Sequence, residues 1–183
     1  MKYTSSLILL LMLCALSACE KDDICSNDEP TTPRLIIRFY DVAFPNDDTR
    51  KQVANLRIQG VGNDNPLEND SGNTIVATDS IIIPLKTTDS VTQYRLHKEY
   101  VYDDNETPDD TSDDSVEGNE DIITITYNIE NVYVSRACGY KSIFKNVSIN
   151  LVPDSNNWIQ LIRAVNDNQS VEDEQQQHFK IYH

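Results

Sequence analysis

The feature that most limits the fold is the alternation of apolar and polar residues in short segments along most of the chain. Strict alternation over four to eight residues places the apolar side chains on one face, as in a half-buried β-strand. The clearest examples are residues 35–39, 123–127 and 147–151, and several more segments are rich in Ile, Val, Thr and Tyr. No segment has the 3.6-residue period and caps of a long helix. The sequence predicts an all-β fold: an antiparallel β-sandwich, Ig-like or jelly-roll-like, or alternatively a small β-barrel.

Some segments allow two interpretations. Pro84 lies inside the apolar segment 79–86, which makes it an edge strand or a bulged strand because proline cannot donate to a ladder. Residues 158–165 could form a strand or a short helix, with Trp158 predicted in the core. Residues 179–182 could be a last strand or an ordered tail.

The first 18 residues have the pattern of an export signal. Lys2 is followed by an apolar run over residues 7–16, which is shorter than the roughly 20 residues that a membrane-spanning helix needs. Residues 16–19, Leu-Ser-Ala-Cys, resemble the bacterial lipobox, in which the cysteine thiol receives a diacylglycerol before cleavage. The sequence therefore predicts a signal peptide over residues 1–18 and lipidation of Cys19. The alternative is ordinary secretory cleavage with Cys19 unmodified.

Residues 19–33 are polar and contain two prolines, which indicates a tether. Glu20-Lys21-Asp22-Asp23 is similar to the surface-export signal of lipoproteins in bacteroidete-type bacteria. The other interpretation is a plain spacer. We expect a lipid-anchored protein of the outer membrane, facing either the periplasm or the cell surface, with one domain over residues 34–183.

Two cysteines remain once Cys14 has left with the signal and Cys19 carries lipid. Cys25 and Cys138 would then lie in an oxidising compartment, where an even number of cysteines favours a disulfide. Such a bond closes a loop of 113 residues (138 − 25), which chain-entropy models value at roughly 4–5 kcal/mol. The alternative is a pair of free thiols.

The charge excludes some classes of partner. The chain has 15 basic and 30 acidic residues, a formal net charge of −15, so repulsion from phosphates argues against nucleic-acid binding. Ten of the acids lie in residues 103–121 without any basic residue. We expect a solvated, disordered loop there. A calcium site is the alternative, but the spacing of an EF-hand is missing and no metal is expected.

The sequence favours a non-enzymatic protein without a cofactor. It contains no Gly-x-Ser-x-Gly, no His-Glu-x-x-His and no phosphate-binding glycine loop. His97 is isolated, and His178 and His183 are predicted to be surface residues of a tail. The alternative is an envelope hydrolase acting on glycans or peptides, which would need a pair of carboxylates in a cleft. A simple structural spacer is a third interpretation.

Two further groups of residues are candidate sites. Asp114-Ser115-Val116 is similar to the Asp-Ser/Thr-aliphatic sites at which bacteroidete periplasmic proteins receive O-glycans, so Ser115 is a candidate for modification. Arg136, Tyr140 and Lys141 flank Cys138 and could form a partner surface, since Arg and Tyr are common at binding hot spots. Alternatively, they offset nearby acids and pack beside the disulfide.

Four segments together resemble a known family. They are residues 19–25, 32–41, 79–85 and 134–141, the last reading Val-Ser-Arg-Ala-Cys-Gly-Tyr-Lys. The chain is similar to an uncharacterised lipoprotein family of flavobacterium-like bacteria that carries a domain of unknown function. The resemblance implies localisation and architecture but no chemistry, and the acidic stretch looks like an insertion. Taking the anchor and the missing catalytic motifs together, we expect a lipid-anchored binding or accessory subunit. Its location alone makes an outer-membrane protein a candidate partner.

Overall fold

A computed structural model describes Cys25 and residues 31–183. The described residues form nine strands and no helix. The strands are β1 Leu35–Tyr40, β2 Val53–Gly60, β3 Ile75–Thr78, β4 Ser80–Ile83, β5 Val91–Asp103, β6 Ser115–Ser135, β7 Gly139–Leu151, β8 Leu161–Ala164 and β9 Phe179–Tyr182.

The chain divides into two compact units. One contains Met1–Thr31 and Asn131–Lys141, of which Cys25, Thr31 and residues 131–141 are described. The other contains Thr32–Glu130 and Ser142–His183. Residues 131–141 thus form a unit with Cys25 and Thr31, and the single domain over residues 34–183 stays a prediction.

The larger unit is built on two sheets that share one core. The strand orders are β4-β1-β9-β8 and β3-β2-β5-β6-β7. A single cluster of buried side chains draws on both sheets, for example Ile37 and Phe39 from the first and Leu96 and Ile123 from the second. The predicted all-β class, a sandwich or small barrel, is confirmed. One pair departs from the antiparallel arrangement that was predicted: β9 lies beside β1 and runs parallel to it.

Alternation explains most of the burial. Ile123, Ile125 and Tyr127 are buried, whereas Thr124 and Thr126 between them are only half-buried. β1 is an exception, with Ile36 and Tyr40 buried on its second face as well. The segment before β9 covers that face, and Tyr40 donates a hydrogen bond from its hydroxyl to Gln177 Oε1 (2.8 Å).

Trp158 lies in the core as predicted, and the segment before Pro84 is the predicted edge strand, although Pro84 itself lies outside it. Trp158 is buried, and its indole N–H donates to the Leu96 carbonyl oxygen (3.2 Å). The strand of residues 158–165 is β8, which begins only at Leu161. β4 is an edge strand of its sheet and ends at Ile83, directly before Pro84.

The acidic loop is shorter than the loop predicted over residues 103–121. β5 continues to Asp103 and β6 begins at Ser115, so residues 115–121 are strand and the connection is limited to residues 104–114. Residues 115–118 expose their side chains to water, so their charge does not prevent the backbones from pairing, whereas Asp121 is buried. A register shift lies between Lys98 and Val101, opposite Gly118. Gly118 has a φ of +112°, and a Cβ there would lie 2.5 Å from the Lys98 carbonyl oxygen.

The predicted surface position of His178 and His183 is wrong, since both are buried. His178 Nδ1 accepts a hydrogen bond from the Ile36 backbone N–H (3.0 Å). The His183 ring contacts Trp158 edge-on, with centroids 5.5 Å apart. Burial lowers the pKa of both imidazoles, because a charged ring would lose its water.

The predicted signal peptide and Cys19 lie outside the described residues. Among Cys25 and residues 31–183, the structure contains no helical segment with the length and hydrophobicity of a membrane span.

Candidate functional site

A cleft lies where the chain passes from one sheet to the other. β3 is an edge strand of the five-stranded sheet and β4 an edge strand of the four-stranded sheet, and Asp79 alone separates them in sequence. The cleft has a volume of about 360 Å³, within the range of small-ligand sites. We call it the edge cleft. It is lined by Arg34, Leu56, Ile58, Leu67, Glu68, Asn69, Asp70, Ser71, Asn73, Thr74, Val76, Ala77, Thr78, Ser80, Ile81 and Ile82.

The floor of the edge cleft is apolar and belongs to the core. Leu56 and Ile58 of β2 and Ile81 of β4 are all buried. They line the cleft because β2 and β4 each turn one face toward the space between the sheets. An apolar group placed in the cleft would therefore contact the core directly.

The rim is a loop held by its own backbone and one amide side chain. Leu67 N–H donates to the Ile58 carbonyl oxygen (2.7 Å), which ties the loop to β2. Asn69 Oδ1 accepts hydrogen bonds from the N–H groups of Ser71 (3.0 Å) and Asn73 (2.9 Å). An asparagine that closes its own turn in this way fixes the loop without using the core. The edge cleft thus has an ordered polar rim.

Arg34 carries the positive charge of the rim. Its Nε donates to Glu174 Oε1 (3.0 Å) and its Nη2 to Glu174 Oε2 (2.8 Å), a bidentate pair. Its Nη1 lies 3.1 Å from Asp70 Oδ1. The hydrogen bonds from Arg34 lower the pKa of the Glu174 carboxyl. Because its guanidinium is already bonded to two carboxylates, the role of Arg34 is chiefly to stabilise the rim.

The lining suits binding better than proton transfer. It contains no histidine, cysteine or lysine, and Asp70, one of its two carboxylates, is paired with Arg34. The edge cleft is bordered by β3 and β4, each of which is the edge strand of its sheet. Edge strands present N–H and C=O groups with which an extended peptide can pair.

A second candidate is the tip of the β6–β7 hairpin, residues 131–141, which we call the hairpin tip. Cys138 forms the predicted disulfide with Cys25, with Cα atoms 4.9 Å apart. Its backbone N–H donates to Ser135 Oγ (3.1 Å), and Gly139 takes a φ of +71°, which closes the turn. Cys138 therefore lies in the turn between β6 and β7 and not on a strand.

The predicted partner residues belong to the hairpin tip. Arg136 is exposed and Lys141 is half-buried. Tyr140 is 70% exposed, so it does not pack beneath the disulfide. Tyr133 is 58% exposed, and its ring meets that of Tyr140 edge-on with centroids 5.5 Å apart. The sequence analysis missed Tyr133, although its place between Val132 and Val134 puts it on the opposite face of a strand.

Ser115 begins β6 and is exposed. Its neighbour Asp114 accepts a hydrogen bond from the Tyr102 hydroxyl (2.5 Å). That bond raises the pKa of Tyr102 to about 12, since the phenol proton is held by a carboxylate. Modification of Ser115 stays a prediction.

In the connection of residues 104–114, neighbouring side chains bind the carboxylate of Asp113. Asp113 accepts hydrogen bonds from Asn105 Nδ2 (2.8 Å) and Thr107 Oγ1 (3.0 Å), and these bonds lower its pKa. Among the described residues, no three His, Cys, Asp or Glu side chains are grouped so that they could hold a metal ion.

The comparisons with known proteins give a family. The Family of unknown function (DUF6452) matches residues 55–183, more than two thirds of the chain. The match includes Cys138 and the hairpin tip but begins after β1, Cys19 and Cys25. No curated protein and no solved structure matches the chain. The chain belongs to the Family of unknown function DUF6452.

Proposed function

We propose that this chain is a lipid-anchored, non-enzymatic binding subunit of the cell envelope, located at the outer membrane. It binds an extended segment of a partner, an outer-membrane protein, in the edge cleft. The observation that carries the binding role is the juxtaposition of two edge strands with an apolar floor. The anchor is supported by the sequence of residues 1–19 and by the Cys25–Cys138 disulfide, since such bonds persist in oxidising compartments.

The chemistry of the cleft favours a peptide with apolar side chains and a neutral or basic character. Apolar side chains would contact Leu56, Ile58 and Ile81, and the peptide backbone would add to β4. Glu68 and Asp70 outnumber Arg34, the single basic residue of the lining. An acidic peptide would be repelled from the rim.

The hydrolase alternative has less support. Glycoside or peptide hydrolysis needs an acid and a base, or an activated nucleophile, that converge on one bond. In the edge cleft, Asp70 is bound to Arg34 and no imidazole or thiol lies beside Glu68. The lining therefore gives the hydrolase no identifiable pair of groups.

Crosslinking in intact cells tests the binding role. A photoreactive amino acid at Ala77, which is exposed and lines the cleft, should crosslink to one segment of an envelope protein, mapped by mass spectrometry. A synthetic peptide of that segment should then bind the purified protein.

Two isoleucines of similar exposure provide a matched pair for the peptide measurement. Ile82 is 36% exposed and lines the cleft, whereas Ile75 is 42% exposed and does not. We expect Ile82→Glu to weaken peptide binding by at least about tenfold, since a buried apolar contact is lost and a charge is placed there. Ile75→Glu should bind like the unmodified protein. Equal affinities for the two variants, or no crosslinked segment from Ala77, would exclude the edge cleft as the binding site.

A further inference from the structure

The hairpin tip is aromatic and basic within a strongly acidic chain. Tyr133 and Tyr140 are both more than half exposed and pack edge to edge. Residues 131–141 include Arg136 and Lys141 and no acidic residue, although the chain carries a net charge of −15. A large apolar ring that ends in a hydroxyl is the side chain enriched at membrane–water interfaces, because its body is apolar and its tip is wet.

The disulfide fixes how far this surface can be from the proposed anchor. Cys25 is bonded to Cys138, and Cys19 precedes Cys25 by only six residues. Six extended residues span at most about 20 Å. Without the disulfide, the next described contact between this segment and the hairpin lies 13 residues after Cys19 (32 − 19), where Thr32 Oγ1 accepts a hydrogen bond from the Ser142 backbone N–H (3.0 Å). The tether could then span about 45 Å.

We propose that the hairpin tip rests on the phospholipid surface that holds the lipid of Cys19. The rings of Tyr133 and Tyr140 lie at the level of the headgroups, and the guanidinium of Arg136 binds lipid phosphate. The disulfide shortens the tether so that the tip stays close to the bilayer. This inference rests on the lipid anchor of the proposed function and adds an orientation to it.

The aromatic rings supply most of the attraction. The tether of residues 20–30 contains five acidic residues and one lysine, so an anionic surface would repel part of the segment that leads to the tip. Insertion of tyrosine at the headgroup level does not require an anionic lipid. The contact is therefore expected on zwitterionic as well as on mixed bilayers.

Bromine-labelled lipids test the contact, because bromine quenches indole emission only at short range. The full 183-residue chain is expressed in bacteria, purified from membranes and reconstituted in phosphatidylethanolamine–phosphatidylglycerol vesicles. Tyr140→Trp places a reporter at the tip. Tyr102→Trp, at a tyrosine of similar exposure (52% against 70%) on the β5–β6 hairpin, is the matched control. Trp158, the one native tryptophan, is buried and serves as a reference for correct folding.

We expect brominated lipid to quench the Tyr140→Trp reporter at least about twofold more than the Tyr102→Trp reporter, after the Trp158 signal is subtracted. Replacing both Cys25 and Cys138 with Ser in the Tyr140→Trp protein should move its quenching toward that of the control, because the longer tether lowers the local concentration of the tip at the bilayer.

Two failures are distinguishable. Mass spectrometry of the purified protein reports whether Cys19 carries acyl chains, and an unmodified Cys19 overturns the anchor together with this inference. An acylated protein whose Tyr140→Trp reporter is quenched no more than the Tyr102→Trp reporter overturns only the contact of the tip.

Discussion

Asp121 offers a sharp test of how the two sheets are joined. It lies in β6 with no exposed surface, opposite Leu96 in β5. Its Oδ2 accepts a hydrogen bond from the Ile159 backbone N–H (2.7 Å), and its Oδ1 accepts one from Asn157 Nδ2 (3.0 Å). One carboxylate thereby fixes the segment that leads to β8.

Asp121→Ala removes both acceptors. Ile159 is only 2% exposed, so its N–H has no water to replace the carboxylate. A hydrogen bond to a charged group contributes about 1.5–3 kcal/mol, and a buried donor left unsatisfied costs about 1–3 kcal/mol. These contributions overlap, and removing a buried charge relieves part of its desolvation. We expect the free energy of unfolding to fall by about 3 kcal/mol, equivalent to about 6–12 °C in Tm for a chain of this size.

Urea denaturation followed by Trp158 fluorescence and far-ultraviolet circular dichroism measures the change. Asp64→Ala, in an exposed loop, is the matched control and should change stability by no more than about 0.5 kcal/mol. Asp121→Asn keeps one acceptor oxygen and should fall between the two. If Asp121→Ala loses no more stability than Asp64→Ala at an unchanged m-value, the reasoning about the buried carboxylate is wrong.

Two further predictions concern the strand geometry and the buried imidazoles. Gly118→Ala places a Cβ 2.5 Å from the Lys98 carbonyl oxygen and 2.7 Å from His97 Nε2, so we expect the free energy of unfolding to fall by more than about 2 kcal/mol. Gly60→Ala is the control: the nearest atom to its Cβ is at 3.7 Å, and the free energy of unfolding should fall by at most about 1 kcal/mol. Chemical denaturation measures the free energy of unfolding of both variants, and equal decreases would contradict the steric argument. His178 has a pKa below its ordinary value because it is buried. As the pH falls through about 6.5, His178 is therefore protonated in the unfolded chain before it is protonated in the folded protein. The free energy of unfolding should decrease between pH 7.5 and 5.5 as a result. His178→Gln should reduce this slope, and an unchanged slope would contradict the assignment.

The strands could be predicted from the sequence because alternation is a local property. Residues 123–127 alternate strictly, and they lie in β6 with the apolar side chains buried. The length of β6 could not be predicted in the same way. Three of its first seven residues, 115–121, are acidic. Their strand conformation comes from pairing with β5, which no pattern within the segment reveals.

The edge cleft could not be predicted, because its parts are far apart in sequence. Arg34 and Glu174, which order the rim, are separated by 140 residues. The floor requires β2 and β4 to lie in different sheets, which depends on strand order. His178 was misplaced for the same reason: its partner, Ile36, is 142 residues away. The disulfide was predictable because elimination left a single pair of cysteines.

The parallel pairing of β1 with β9 has a consequence for how the protein matures. β1 lies between β4 and β9, and Ile37 pairs with Phe179, 142 residues later (179 − 37). A nascent chain that lacks β9 leaves a central, apolar strand with one open edge, which is a template for aggregation. Contacts between such distant segments also form slowly. The four-stranded sheet therefore closes only after residues 179–182 have been synthesised, and a holdase that shields β1 until then should raise the yield of native protein.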